Sequence, residues 1–178
     1  MSIKKEKLLD RRTLYQGKLI QLCLDRVSLA GRETSREVVL HSEAAAIIPV
    51  TADKKVLFVK QYRYPIGQEL LEIPAGKTDP GESEEDCAAR ELEEETGYIG
   101  TLQKLGEMYS SPGFCDEKIH LYLAQNLVHT KQHLDEGEYL DVITISLSDV
   151  FGMIRRGEIT DAKTLSAFAI AGDLLHSL

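Results

Sequence analysis

From Lys18 onward the chain alternates loosely between apolar and polar positions, as KLIQLCLDRVSLA over 18–30 and REVVLH over 36–41 after the turn-like GRETS. Alternation with period two puts one set of side chains on one face of a strand, so two or three antiparallel strands are expected in this region. The runs AAAIIPVT (44–51) and VLFVKQYR (56–63) are rich in β-formers and read as well-buried strands joined by the polar turn ADKK. A short strand LLEIP (70–74) precedes a glutamate-rich stretch, AGKTDPGESEEDCAARELEEETGY (75–98). Pro80-Gly81 makes a turn, Ser83 with Asp86 forms a capping box, and Gly97 stands where a helix would end, so a helix is predicted between Ser83 and Gly97. GEMYS and KIHLYLAQNLV read as strands on either side of the loop SPGFCDE, and YLDVITISL as another. Two helices close the chain: SDVFGMIRR, stopped by Gly157, and DAKTLSAFAIAGDLLHSL with its apolar face. Strands and helices intermix without strict βαβ alternation, which predicts an α+β chain whose mixed sheet is flanked by helices.

Composition narrows the function classes. The 178 residues are 43% hydrophobic and 28% charged, enough for one domain with a small appended piece. A net charge of -8 and a pI near 5.2 argue against a nucleic-acid surface, and no apolar run is long enough to span a bilayer. Three scattered cysteines, Cys23, Cys87 and Cys115, and a start without a signal-type apolar core fit a soluble protein of a reducing cytoplasm.

The glutamates set a problem of spacing. At about 100° per residue Glu91, Glu94 and Glu95 fall within one sector of the helix, with Leu92, Ala88 and Ala89 on the adjoining apolar side and Arg90 beside Glu94. Each pair of carboxylates about 6 Å apart in a partly buried cleft repels by roughly 3 kcal/mol at an effective dielectric near 20. Divalent cations remove that repulsion, and carboxylate oxygens are the ligands Mg²⁺ takes, with water and phosphate completing its shell. Charge pattern alone leaves two readings open, a solvated acidic face and a metal site.

The spacing also carries a family resemblance. Gly76, Glu82, Arg90, Glu91, Leu92, Glu94, Glu95 and Gly97 match the signature G-x5-E-x7-R-E-U-x-E-E-x-G-U of the Nudix hydrolases, and only Tyr98 departs, standing where an aliphatic residue is usual. The resemblance implies an α/β/α sandwich with a mixed sheet, here residues 43–178, and a loop–helix–loop presenting glutamates to Mg²⁺, with Mn²⁺ as a substitute, bound to a substrate diphosphate. It implies Glu91 and Glu95 as principal ligands, Glu94 and Glu82 assisting, the carbonyl of Ala75 as a further ligand, and Arg90 orienting the carboxylates.

Features outside the signature resemble the ADP-ribose pyrophosphatase branch of that family. Pro112, Gly113 and Phe114 in SSPGFCDE match its SPG-type loop; VKQYRYP matches a strand carrying a substrate-facing arginine, here Arg63; and LLEIPAG sets Glu72 near the substrate. The block 1–42 resembles the branch's extra antiparallel β-region, which supports a homodimer, and Arg36 matches a position reaching the partner subunit's nucleotide. On HLDEGEYLDV the resemblance puts Glu136 at the general-base position and Glu138 at a metal-contacting one, with the choice of base between the two left open. The activity implied is Mg²⁺-dependent hydrolysis of ADP-ribose to AMP and ribose 5-phosphate. The alternatives are another nucleotide sugar such as GDP-mannose, and a non-catalytic ADP-ribose-sensing domain.

Overall fold

A computed structural model describes residues 3–177, so Leu178, the end of the predicted terminal helix, lies outside it. The chain divides by its contacts into two units, Met1–Ser42 with Tyr109–Lys118, and Glu43–Met108 with Ile119–Leu178.

In the first unit three antiparallel strands, β1 (Lys7–Gln16), β2 (Gln21–Leu29) and β3 (Arg32–Leu40), pair in the order β1-β2-β3. β1 was not expected from the hydrophobic pattern, and all ten of its residues are exposed. Its partner holds it by backbone pairing and by a fork in which Arg11 Nε and Nη2 donate to Asp25 Oδ1 and Oδ2, both at 2.7 Å. β3 begins at Arg32, so the residues read as the turn GRETS are mostly strand and the reversal is confined to Ala30-Gly31. The loop at Pro112–Phe114 folds against the end of β3, where Val39 N–H donates to the Phe114 carbonyl at 2.7 Å and Asp116 N–H to the Val39 carbonyl at 3.1 Å.

The second unit is built on β4 (Ala44–Pro49), β5 (Lys55–Arg63), β6 (Gln68–Glu72), β7 (Ala75–Lys77), β8 (Tyr98–Tyr109), β9 (Lys118–His129) and β10 (Leu140–Ser146). One sheet runs β7-β4-β9-β8, with β4 parallel to β9 and antiparallel to β7; another runs β10-β5-β6 and is antiparallel. The helices are α1 (Glu84–Thr96), α2 (Leu147–Arg156) and α3 (Ala162–His176).

The strand period explains the layers. Ala44, Ala46 and Ile48 of β4, with Ile119, Leu121 and Leu123 of β9, pack into a core shared with Val150 of α2 and Phe168 and Ala171 of α3. The intervening residues Ala45 and Ile47, with Tyr122 and Ala124, face the other way against Cys87, Ala88 and Leu92 of α1. β4 and β9 are therefore covered on both faces, which is why β4 reads as a continuous apolar run. One expectation for α1 needs correction: Ala89 is exposed, and Cys87 takes the buried place assigned to it. Cys87 lies one turn from Glu91 on the side turned toward the sheet, whereas Ala89 is rotated about 200° from Cys87.

Candidate active site

The α1 helix starts and stops where its caps require. Ser83 Oγ accepts from Asp86 N–H at 3.1 Å, and Gly97 closes the helix at φ 74° with its N–H on the Glu93 carbonyl. Between those caps the i,i+4 spacing aligns Glu91 with Glu95, and both carboxylates turn toward β7. Glu95 is only 3% exposed, and its Oε2 accepts from Ala75 N–H at 2.9 Å. Burial pushes its carboxyl up to about 8 against that hydrogen bond, with the charges of Glu91 and Glu138 adding to the rise. Burial also raises the Glu91 carboxyl, against the pull of Arg90.

Arg90 ties the cluster together. Its Nε and Nη2 fork onto Glu82 at 2.8 and 3.0 Å, and Nη2 also donates to the Lys77 carbonyl at 3.0 Å. Its Nη1 reaches Glu91 Oε1 at 2.7 Å and Glu94 Oε2 at 2.9 Å. The Arg90 fork, helped by Asp79 N–H at 2.9 Å, holds the Glu82 carboxyl down at about 2. One guanidinium thus fixes three carboxylates on one side of the helix, the arrangement a planar donor fork favours.

The cluster fits a divalent cation on two observations. A Cβ added to Gly76 would stand 1.9 Å from Glu91 Oε1, so strand and carboxylate approach as closely as glycine allows. The donor set is hard oxygen, and its most buried member, Glu95, is a carboxylate that folding alone leaves poorly compensated. Among the described residues no group of three or more His, Cys, Asp or Glu side chains is arranged to hold a metal ion by itself, and Arg90 Nη1 occupies Glu91 Oε1 and Glu94 Oε2. An open set suits Mg²⁺, which takes one or two carboxylates and fills its shell with water and phosphate.

The loop after β9 is fastened to the C-terminal end of α1. Thr130 N–H donates to the Gly97 carbonyl at 2.7 Å, His133 N–H to the Glu94 carbonyl at 3.1 Å, and Gln132 Nε2 to the Glu95 carbonyl at 2.6 Å. These donors satisfy helix carbonyls that have no partner within the helix. Gly97 must be glycine twice over, because its φ is positive and a Cβ there would meet Gln132 N at 2.8 Å. Fastened this way, the loop brings the Glu138 charge within reach of Glu91 and Glu95. Glu136 sits exposed at the turn tip beside Gly137 at φ 89°. Next to this loop a depression of about 390 Å³ is lined by Tyr62, Glu69, Glu138 and Tyr139, among others. A second depression of about 420 Å³ belongs wholly to the first unit, between Asp10 and Ser35, and contains none of these glutamates.

Arg63 and Glu72 come together at the ends of β5 and β6, with Nε and Nη2 donating to the two carboxylate oxygens, each at 2.7 Å. Glu72 is 1% exposed; burial alone would raise its carboxyl, but Arg63 and Lys163 outweigh burial and hold it below its usual value. Lys163, in the first turn of α3, was missed by sequence reasoning. Its signal was a cation at the positive end of a helix, where the dipole opposes it. Arg36, Pro112, Gly113 and Phe114 all lie in the first unit. There Arg36 donates to Glu6 at 3.1 and 2.5 Å, and Phe114 is exposed. Tyr98, the one departure from the signature, packs edge-on against His129 with ring centroids 5.0 Å apart.

The buried carboxyls give the metal-free protein a distinctive pH response. A carboxyl near 8 in the folded chain, against about 4.5 ordinarily, keeps a proton that the unfolded chain releases. That contribution is full below about 4.5 and is lost as pH rises through about 8. The melting temperature in chelator should therefore fall by roughly 5 °C between about pH 5 and pH 8. Millimolar Mg²⁺ should reverse the fall by binding the folded state alone. Thermal melts at both pH values, with and without Mg²⁺, check this; a curve indifferent to Mg²⁺ at the higher pH would contradict a cation site here.

The chain is similar to known proteins along most of its length. The NUDIX domain description matches residues 40–168. An ADP-ribose pyrophosphatase of Bacillus subtilis (strain 168) is 42% identical over 169 residues, which cover 93% of this chain and 90% of that protein. A GDP-mannose pyrophosphatase of Escherichia coli O139:H28 is 36% identical over 141 residues, covering 73% of each. Among solved structures, the crystal structure of an ADP compounds hydrolase superposes with a TM-score of 0.88 over 99% of this chain and 97% of that one, at 24% identity, a likeness of fold.

Proposed function

The chain belongs to the Nudix family, and from that premise we propose that it hydrolyses the diphosphate bond of ADP-ribose, giving AMP and ribose 5-phosphate, with Mg²⁺ as the working cation. The observation that carries the reading is Glu95, a buried carboxylate one helical turn from Glu91, which folding alone gives no reason to keep charged. The substrate choice rests on the extent of the likeness to the B. subtilis ADP-ribose pyrophosphatase, which reaches into both units.

Glu91 and Glu95 would hold the cation, with Glu94, Glu82, Glu138 and the Ala75 carbonyl contributing. When bound, a divalent cation neutralises the diphosphate and makes water a better nucleophile near neutral pH. The remaining work falls to the chain's own groups. Arg90 keeps Glu82, Glu91 and Glu94 in register. Arg63 uses two donors on Glu72, and its side chain, 41% exposed, still has Nη1 to offer an anionic ligand. Glu136, with Glu138 as the other candidate, accepts the proton of the attacking water. The water oxygen bonds to one phosphorus as the bridging P–O bond breaks, and the departing phosphate keeps that bond's electrons. The turn at Gly137 lets the loop approach or withdraw.

A homodimer belongs to the same proposal. β1 presents Leu8, Leu9, Leu14 and Tyr15 to solvent on an edge strand, a surface that proteins usually cover. In a dimer Arg36 and the Pro112–Phe114 loop would contribute substrate contacts, and a light-scattering mass of two chains is the check. Free Cys23, Cys87 and Cys115 agree with a cytoplasmic setting, and among the described residues no helix is long and apolar enough to cross a membrane.

The E. coli relative favours GDP-mannose as the second reading of substrate. Initial rates with both sugars in Mg²⁺ decide between them, and ADP-ribose is expected to be preferred by at least about tenfold in kcat/KM. Preference for GDP-mannose would overturn the substrate assignment. Tight ADP-ribose binding without product would point to a sensing domain instead.

A further inference from the structure

Lys163 lies in the first turn of α3, where the helix dipole disfavours a cation. Its side chain is only 11% exposed, although lysine is rarely buried unless paired. The amine donates to Glu72 Oε2 and, at 3.1 Å, to Asp161 Oδ1. Asp161 also caps α3, its Oδ2 accepting from Thr164 N–H at 3.0 Å and Thr164 Oγ1–H at 2.6 Å. Thr164 Oγ1 in turn accepts from the Ile73 N–H at 3.0 Å. The start of α3 therefore grips the chain at the end of β6 twice, once through the side chain of Glu72 and once through the backbone of Ile73. Two residues further on, Ala75 N–H reaches Glu95.

We propose that Lys163 is a positioning residue for substrate binding: it fixes the Glu72 carboxylate, which holds the Arg63 guanidinium with one edge free for the substrate. This deepens the functional reading above and rests on it. Both oxygens of Glu72 are engaged by Arg63, and Lys163 adds a third donor to one of them, so the buried carboxylate cannot swing without breaking a charge-assisted bond. Without the lysine, Glu72 keeps Arg63 but loses its anchor to α3, and the arginine becomes free to sample other rotamers. The cost falls on substrate capture rather than on the chemical step, because the Lys163 amine is spent on two carboxylates.

The test compares Lys163→Met, Lys163→Arg, Glu72→Gln and the Glu72→Gln/Lys163→Met double variant with the natural protein. Lys163→Met should raise KM about tenfold and leave kcat within about twofold, and Lys163→Arg should recover much of the KM. The double variant should be no worse than Glu72→Gln alone, the non-additivity expected of two residues acting as one unit. If Lys163→Met fails to fold, Lys163→Gln takes its place with the same expectation. The Arg63 Nε–H signal in NMR gives a readout independent of turnover: slow to exchange in the natural protein, fast in Lys163→Met. Unchanged KM and unchanged exchange in a folded Lys163→Met protein would overturn the assignment, and additive effects in the double variant would show a direct role instead. Absence of turnover in the natural protein would count against the functional reading, while the exchange measurement would still decide the role of Lys163.

Discussion

Glu95→Gln removes more than about a hundredfold of the activity on ADP-ribose at saturating Mg²⁺, a loss beyond that for residues that merely support a metal ligand, while the fold stays intact. The expectation follows from what glutamine preserves. It keeps the shape, and its amide oxygen still accepts the Ala75 N–H that meets Glu95 Oε2 at 2.9 Å. It discards only the charge, held in a place 3% exposed where burial drives the carboxyl up to about 8. In the metal-free protein at about pH 8 that charge is a cost, so Glu95→Gln should melt higher than the natural chain in chelator and gain less from Mg²⁺. Loss of function with gain of apo stability is the mark of a residue kept for binding rather than folding. Kinetics and paired melts check both halves; natural-like rates would remove Glu95 from the ligands.

Gly76→Ala should separate site from scaffold in the same way. The added methyl would fall 1.9 Å from Glu91 Oε1 and 2.1 Å from its Cδ, an impossible contact. Those atoms end a flexible side chain, so the carboxylate moves and β7 can stay paired with β4. Stability should change by less than about 1 kcal/mol. Activity should fall roughly ten- to hundredfold, because Glu91 leaves both its Arg90 contact at 2.7 Å and its place beside Glu95. A variant that unfolds, or one with unaltered turnover, would contradict this account of the glycine.

The signature helix was the most legible part of the chain, because its caps and glutamate spacing are local. Ser83, Gly97 and the i,i+4 alignment of Glu91 with Glu95 need no knowledge of the rest of the fold. The double burial of β4 was legible for a similar reason, since AAAIIP has no polar face to leave in water. β1 was not, because Leu8-Leu9 and Leu14-Tyr15 are adjacent pairs rather than alternating ones, and its residues meet no core that would impose a period. Ala89 misled because alanine is at home on either side of a helix; only the helix's rotation against β4 and β9 selects Cys87 instead.

Longer-range features escaped for a different reason. Lys163 joins Glu72 across 91 residues, and Gln132 joins the Glu95 carbonyl across 37. Neither contact leaves a periodic trace in the sequence. The weak signals were a cation where a helix dipole opposes it and a loop carrying more donors than its own turn needs. Arg63 and Glu72 were legible only as two parts of a family resemblance, and the bidentate bond between them emerged from the fold.

The most direct test of the central claim, that the α1 glutamates serve hydrolysis of a diphosphate, is product analysis of ADP-ribose hydrolysis in ¹⁸O-water with and without Mg²⁺. The account predicts AMP and ribose 5-phosphate, one ¹⁸O atom introduced per turnover on a phosphate, and negligible product in chelator. Release of intact ADP, or equal rates without any divalent cation, would contradict it.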